Sequence, residues 1–181
     1  FAIEMINFDG REMGFLQSFR EVPGFLSFAV VFAMLFMRQQ PLTLLALLLL
    51  GAGTALTGFF PSFWGLMITT FIMSIGFHYF ETLHQSLTLQ WIDRHRAPVI
   101  FGRIISLRSI ASAIAFGLIY LALELGGFAY ILVYLLGGCL TIAIAFFCWL
   151  AYPEFTSKAE QRKNIVLRSR YWLWYALVFM S

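Results

Sequence analysis

The sequence predicts an all-α, polytopic transmembrane helix bundle, and three observations carry that prediction. Of its 181 residues, 61% are hydrophobic and only 12% charged, against about 25% charged in ordinary soluble domains, and mean hydropathy is +0.84. The apolar residues fall into runs at about 13–37, 42–60, 63–92, 99–123 and 128–152, with a further run over 171–181. A helix needs about 20 apolar residues to cross a bilayer. Finally, Lys and Arg are rich in alternate connections and sparse in the others. A water-soluble globule, a disordered chain and a disulfide scaffold are excluded.

The elements follow in order. The 13–37 segment holds Arg20-Glu21 and then Pro23-Gly24, a predicted kink. Counting 1.5 Å per residue back from Met37 puts Arg20 and Glu21 near the outer interface, as an outer gate, a solute contact or a plain interfacial pair. The 42–60 segment carries Gly51, Gly53 and Gly58, read as close-packing or flexible points and not as ligand contacts. The 63–92 segment holds the densest polar content, and the 99–123 segment contains Arg103 and Arg108. In the 128–152 segment, Cys139 and Cys148 are nine residues apart, which places them on opposite faces of a helix, so no disulfide is expected. Residues 153–170 form the longest polar connection, with Lys158, Arg162, Lys163, Arg168 and Arg170. They read as a cytoplasmic basic linker before the next membrane helix, which starts at Tyr171.

By the positive-inside rule, the connections holding Arg38, then Arg94 and Arg96, and then the 153–170 group are cytoplasmic. The Phe60-Pro61-Ser62 and Glu124-Leu125-Gly126-Gly127 connections, which lack Lys and Arg, lie outside. That topology implies one helix before Phe1, and the chain reads as an internal piece of a longer multi-pass protein of a plasma or bacterial inner membrane. The net charge of +3 and pI near 9.1 reflect this topology. No nucleic-acid partner is expected. Trp64, Trp91, Tyr152, Trp172 and Trp174 stand near segment ends, where interfacial belts form.

With that added helix, the chain has six spans, a basic linker and a seventh span. Arg20-Glu21-Val22-Pro23-Gly24-Phe25-Leu26 looks like the outer start of a second helix. Asp93-Arg94-His95-Arg96 with Gly102-Arg103 looks like a charged turn between a fourth and a fifth, and Arg168-Ser169-Arg170-Tyr171-Trp172-Leu173 like the entry to a seventh. In these features the chain resembles the N-terminal half of a major facilitator superfamily transporter. The turn Met37-Arg38-Gln39-Gln40-Pro41 departs from that family's Gly/Asp/Arg-rich turn. The 110–117 stretch lacks the Gly-Pro pair of its drug antiporters, so no drug antiporter is expected. The resemblance implies two six-helix bundles, a midplane site and alternating access. The partners would be a small-molecule solute, the lipid bilayer and the missing C-terminal half of the same polypeptide.

Chemistry concentrates in the 63–92 segment. On a helical wheel, Ser74, His78, Glu81, His84, Gln85 and Thr88 share an arc of about 120°. Such a stripe belongs on the bundle interior or a cavity wall, because ionisable groups in hydrocarbon are costly. Its simplest use is interhelical hydrogen bonding; its functional use is transport or coupling. A carboxyl in a low-dielectric cavity favours its protonated form, so Glu81, bracketed by His78 and His84, is the leading proton-coupling candidate. His78-x-x-Glu81-x-x-His84 lacks the order of zinc-protease ligands, and no metal is expected.

Arg108 lies ten residues after Pro98, and Glu81 ten before Trp91. Both are therefore about 15 Å from the same end of antiparallel helices, which predicts a pair across the cavity. The alternative is that Arg108 meets backbone carbonyls while Arg103, a second gate candidate, snorkels to the interface. Gly102, Ser106, Ser109, Ala113 and Gly117 share an arc of about 80° and read as a helix-packing seam. No phosphate loop, nucleophile elbow, Cys-x-x-Cys or dinucleotide fingerprint is present, so neither an enzyme nor a cofactor is expected. The sequence thus points to secondary-active transport of a small solute, by symport or antiport. The rival is a non-transporting membrane scaffold or assembly factor. An intramembrane enzyme using His78, Glu81 and His84 ranks third.

Overall fold

A computed structural model describes residues 1–93, 95–151 and 172. The 153–170 linker and the helix starting at Tyr171 lie outside the described residues, apart from Trp172, as does Arg94. Among the described residues every regular element is a helix. Helix α1 spans Ala2–Ile6, α2 Gly10–Phe25, α3 Val30–Phe36, α4 Gln39–Thr57, α5 Phe63–Trp91, α6 Ala97–Tyr120 and α7 Tyr130–Ala151. Five stretches are long and apolar enough to cross a membrane: 10–36 (α2 and α3 together), α4, α5, 97–125 and α7. The architecture is compatible with an integral multi-pass membrane protein.

Local chemistry sets the ends. α2 starts at Gly10, three residues before the apolar run, because Asp9 and Glu12 form a reciprocal capping box. The Glu12 amide donates to Asp9 Oδ1 at 2.7 Å and the Asp9 amide to Glu12 Oε2 at 3.1 Å. α4 begins before Pro41 and α6 before Pro98; a proline in the first turn has no amide to satisfy and fits there. α5 is capped by Ser62, whose hydroxyl accepts from the Gly65 amide at 3.1 Å. Pro23 stands inside α2, and the helix gives way to a 3₁₀ turn at Ser27–Ala29 before α3 resumes the span. Past α6, a π-helical turn at Leu121–Leu125 leads to Gly127, whose φ of +61° suits glycine and re-aims the chain into α7.

Helix α4 is the central post, packed along α5 on one side and α7 on the other, with α2 against α5. Glycine permits the close approach. A Cβ on Gly53 would sit 2.7 Å from the Met73 amide nitrogen, and one on Gly51 would sit 3.0 Å from the Gly138 carbonyl oxygen. Gly76 abuts Leu50 and Ala46 in the same way, and Gly138 abuts Ala55. Gly51, Gly53 and Gly58 are therefore packing points, as the sequence suggests.

Two apolar clusters fill the ends of the bundle. Phe8, Leu16, Leu66 and Met67 join α1, α2 and α5 at one end, and Val30, Leu42 and Leu83 join α3, α4 and α5 toward the other. At that second end, buried Gln39 donates to the Leu83 carbonyl at 3.5 Å and accepts from Gln90 at 2.8 Å, clamping α4 to α5.

The seam on α6 has no partner helix among the described residues. No residue of α6 is buried, and a Cβ on Gly102 or Gly117 would meet nothing within 4 Å. Ser106 and Ser109 bond back to their own helix, at Gly102 and Ile105, and Ala113 is exposed. Among the described residues this face has no neighbour, and the glycine seams that do close are those of α4, α5 and α7.

Candidate functional site: two charge clusters along α5

The polar stripe of α5 separates into an upper and a lower part. Ser74 is buried and donates to the Arg20 carbonyl oxygen of α2. His78 follows one turn later, packed on the backbone of Gly24. A side chain at Gly24 would meet the imidazole at 2.7 Å, so the glycine makes room for the ring. Glu21 bridges here, with Oε2 3.8 Å from His78 Nε2 and Oε1 3.0 Å from Arg20 Nη2.

His78 lies near the middle of α5, so the Arg20-Glu21 pair stands beside the middle of that helix. With α2 starting at Gly10 and α3 completing the span, Arg20 falls about 15 Å from one end and 24 Å from the other.

The lower part faces α6. Arg108 Nη1 lies 2.6 Å from Glu81 Oε1, and its guanidinium carbon is 5.7 Å from the Phe77 ring centroid. The equal-depth arithmetic put these residues opposite one another, and they meet. Charge assistance makes a contact this short among the stronger hydrogen bonds, and the ring face adds cation–π attraction. Phe77 in turn meets His78 edge to face at 5.2 Å. The two clusters are thereby in contact through one aromatic ring.

The remaining stripe residues are placed apart from these pairs. His84 stacks on Phe80 at 5.6 Å, Thr88 donates to the His84 carbonyl at 2.8 Å, and Gln85 is exposed. Among the described residues, no hydrogen bond joins His78, Glu81 and His84 to one another, and no three His, Cys, Asp or Glu side chains converge as metal ligands. Arg103 is exposed on the first turns of α6. Cys139 and Cys148 form no disulfide.

A cavity of about 200 Å³ opens between α2, α4, α5 and α7, beneath Phe1 and Ala2. Its polar lining comes from Gln17, Arg20, Thr57, Thr70 and Tyr134. Of these only Arg20 stood out in the sequence. Gln17 is three residues before Arg20, on the same helix face, which was the available signal; Thr57, Thr70 and Tyr134 come from three other helices. The cavity is smaller than the about 300–1,000 Å³ of drug-sized sites. Arg20 belongs both to its wall and to the Glu21–His78 cluster, so the cavity borders a charged network running into α5.

Comparison with family models, with curated proteins and with solved structures gives no match. The functional reading therefore rests on the residues themselves.

Proposed function

We propose that this chain belongs to a secondary transporter that moves a small polar solute by alternating access, with proton coupling through Glu81 and with His78 and His84 as further titratable groups. The observation that carries the proposal is the Glu81–Arg108 pair at 2.6 Å, about 15 Å in from the shared end of two long apolar helices. Ionisable groups at such depth are expensive and mark solute or ion pathways. Protonating Glu81 cancels its charge and loosens its hold on Arg108, so α5 and α6 separate more readily. Returning the proton draws them together. The adjoining cavity, with Arg20, Gln17, Thr57 and Thr70 in its wall, is the proposed place of the solute. In this reading the end bearing Arg38, Arg96 and Arg103 is cytoplasmic, the membrane is a plasma or bacterial inner membrane, and a second bundle faces α6, as the resemblance to the major facilitator superfamily implies.

The test is solute-dependent proton flux in liposomes carrying the protein, with wild type and Glu81→Gln compared over a panel of sugars, amino acids and organic acids. Flux in wild type that disappears in a correctly inserted Glu81→Gln variant supports coupling at this carboxylate. Absence of flux with every solute in correctly inserted wild type overturns transport. One observation favours the scaffold reading in that event: α6 offers a helix with no buried residue for another protein to bind.

A further inference from the structure

A second feature lies on the opposite side of α4. Between the first half of α4 and the last half of α7 runs an open groove of about 700 Å³. Leu44, Leu45, Leu48, Ile142, Ala143 and Phe146 form its length, with Met37 and Pro41 at one end. No charged residue lines it. Leu45, Leu48 and Phe146 are exposed, so the groove is open along its side, the direction from which a bilayer lipid would enter.

Arg38 sits between Met37 and Pro41, at the end of the groove where α4 begins. It is exposed and has no acidic partner among the described residues. Trp149, exposed and near the end of α7, lies at the same extremity, and tryptophan favours the headgroup level of a bilayer. An apolar channel that ends in an exposed cation and an interfacial indole has the order of a phospholipid: chain, glycerol region, phosphate. Charge complementarity sets the headgroup class, because a net negative lipid gains from Arg38 what a zwitterionic one largely forgoes.

We propose that the α4–α7 groove holds an anionic phospholipid, one acyl chain lying along Leu44, Leu48, Ile142 and Phe146 and its phosphate against the Arg38 guanidinium. The proposal is independent of transport and stands or falls by lipid binding alone.

Native mass spectrometry of the detergent-purified protein, titrated with phosphatidylglycerol and phosphatidylcholine of identical chains, tests it. Wild type is expected to retain phosphatidylglycerol about fivefold more strongly, and Arg38→Gln to reduce the two lipids to near parity. Arg11→Gln, at the other end of the bundle, keeps the preference. Leu48→Trp, which fills the channel, lowers retention of both lipids. Equal retention of the two lipids by wild type, or a preference that survives Arg38→Gln, overturns the headgroup assignment. Retention unchanged in Leu48→Trp overturns the chain site. A dimer that carries no lipid where the monomer carries one would give the groove to a second copy of the chain and likewise overturn the proposal.

Discussion

Removing one side of the Glu81–Arg108 pair should detach α6 from α5. Exposed ion pairs contribute about 0–1 kcal/mol, and orphaning one partner of a buried pair costs about 3–5 kcal/mol. At 2.6 Å, with side chains 33% and 56% exposed, this pair belongs between those limits, at about 2 kcal/mol. The α6 seam has no neighbour among the described residues, so little else offsets the loss, although Arg108 keeps its contact with the Phe77 ring, of the order of 0.5–1 kcal/mol. Glu81→Gln is therefore expected to shift the docked-to-detached ratio of α6 by about 30-fold.

Spin labels at Trp64 and Leu125, both exposed at the end far from the 92–96 connection, would report that ratio as a distance distribution in nanodiscs. Wild type should give one dominant distance, and Glu81→Gln and Arg108→Gln should each give a broad second population. The double variant should be little worse than either single one, and exchanging the two charges should restore much of the docked form. If the single effects add to within about 0.5 kcal/mol, the pair does not couple the helices and the reasoning fails.

Thermal unfolding should separate the two kinds of glycine. Gly76→Ala forces a methyl into Leu50 and Ala46 and should destabilise by about 1–3 kcal/mol, whereas Gly102→Ala, in open space, should be neutral or up to about 1 kcal/mol stabilising. Asp9→Ala removes the capping box of α2, and a loss of about 1 kcal/mol in the same assay is expected. Gly24→Ala should push the His78 ring off its seat and away from Glu21. Histidine side-chain NMR shifts would register the change, while Gly14→Ala, in open space on the same helix, should leave them unmoved.

Much of the architecture is legible in the sequence because membrane helices are written in their composition: a run of apolar residues has no other stable place. Span ends are less so. They depend on single bonds such as Asp9 to Glu12, which lie outside the apolar run. Depth is legible as well, since both helices of an antiparallel pair are measured from one shared turn, and this brought Glu81 and Arg108 opposite one another. For Arg20 and Glu21 the same measure has no fixed origin, because their helix starts at Gly10 and is broken at Leu26. Lateral neighbours are the least legible. Two small-residue seams of similar composition, one on α6 and one shared by α4, α5 and α7, differ only in whether another helix lies across them. The cavity wall assembled from Gln17, Thr57, Thr70 and Tyr134 likewise exists only once four helices have met.

The attachment of α6 also has a mechanical consequence. The helix is joined to α5 by the connection ahead of Ala97, held again at Arg108, and extended beyond that point to Leu125 before a glycine turn. At 1.5 Å per residue these points lie about 16 and 42 Å from the joint. α6 is thus a lever whose load arm is about two and a half times its effort arm. By that ratio a displacement of 1 Å at Arg108 would correspond to about 2.5 Å at Leu125, next to the Gly126-Gly127 turn where the chain changes direction.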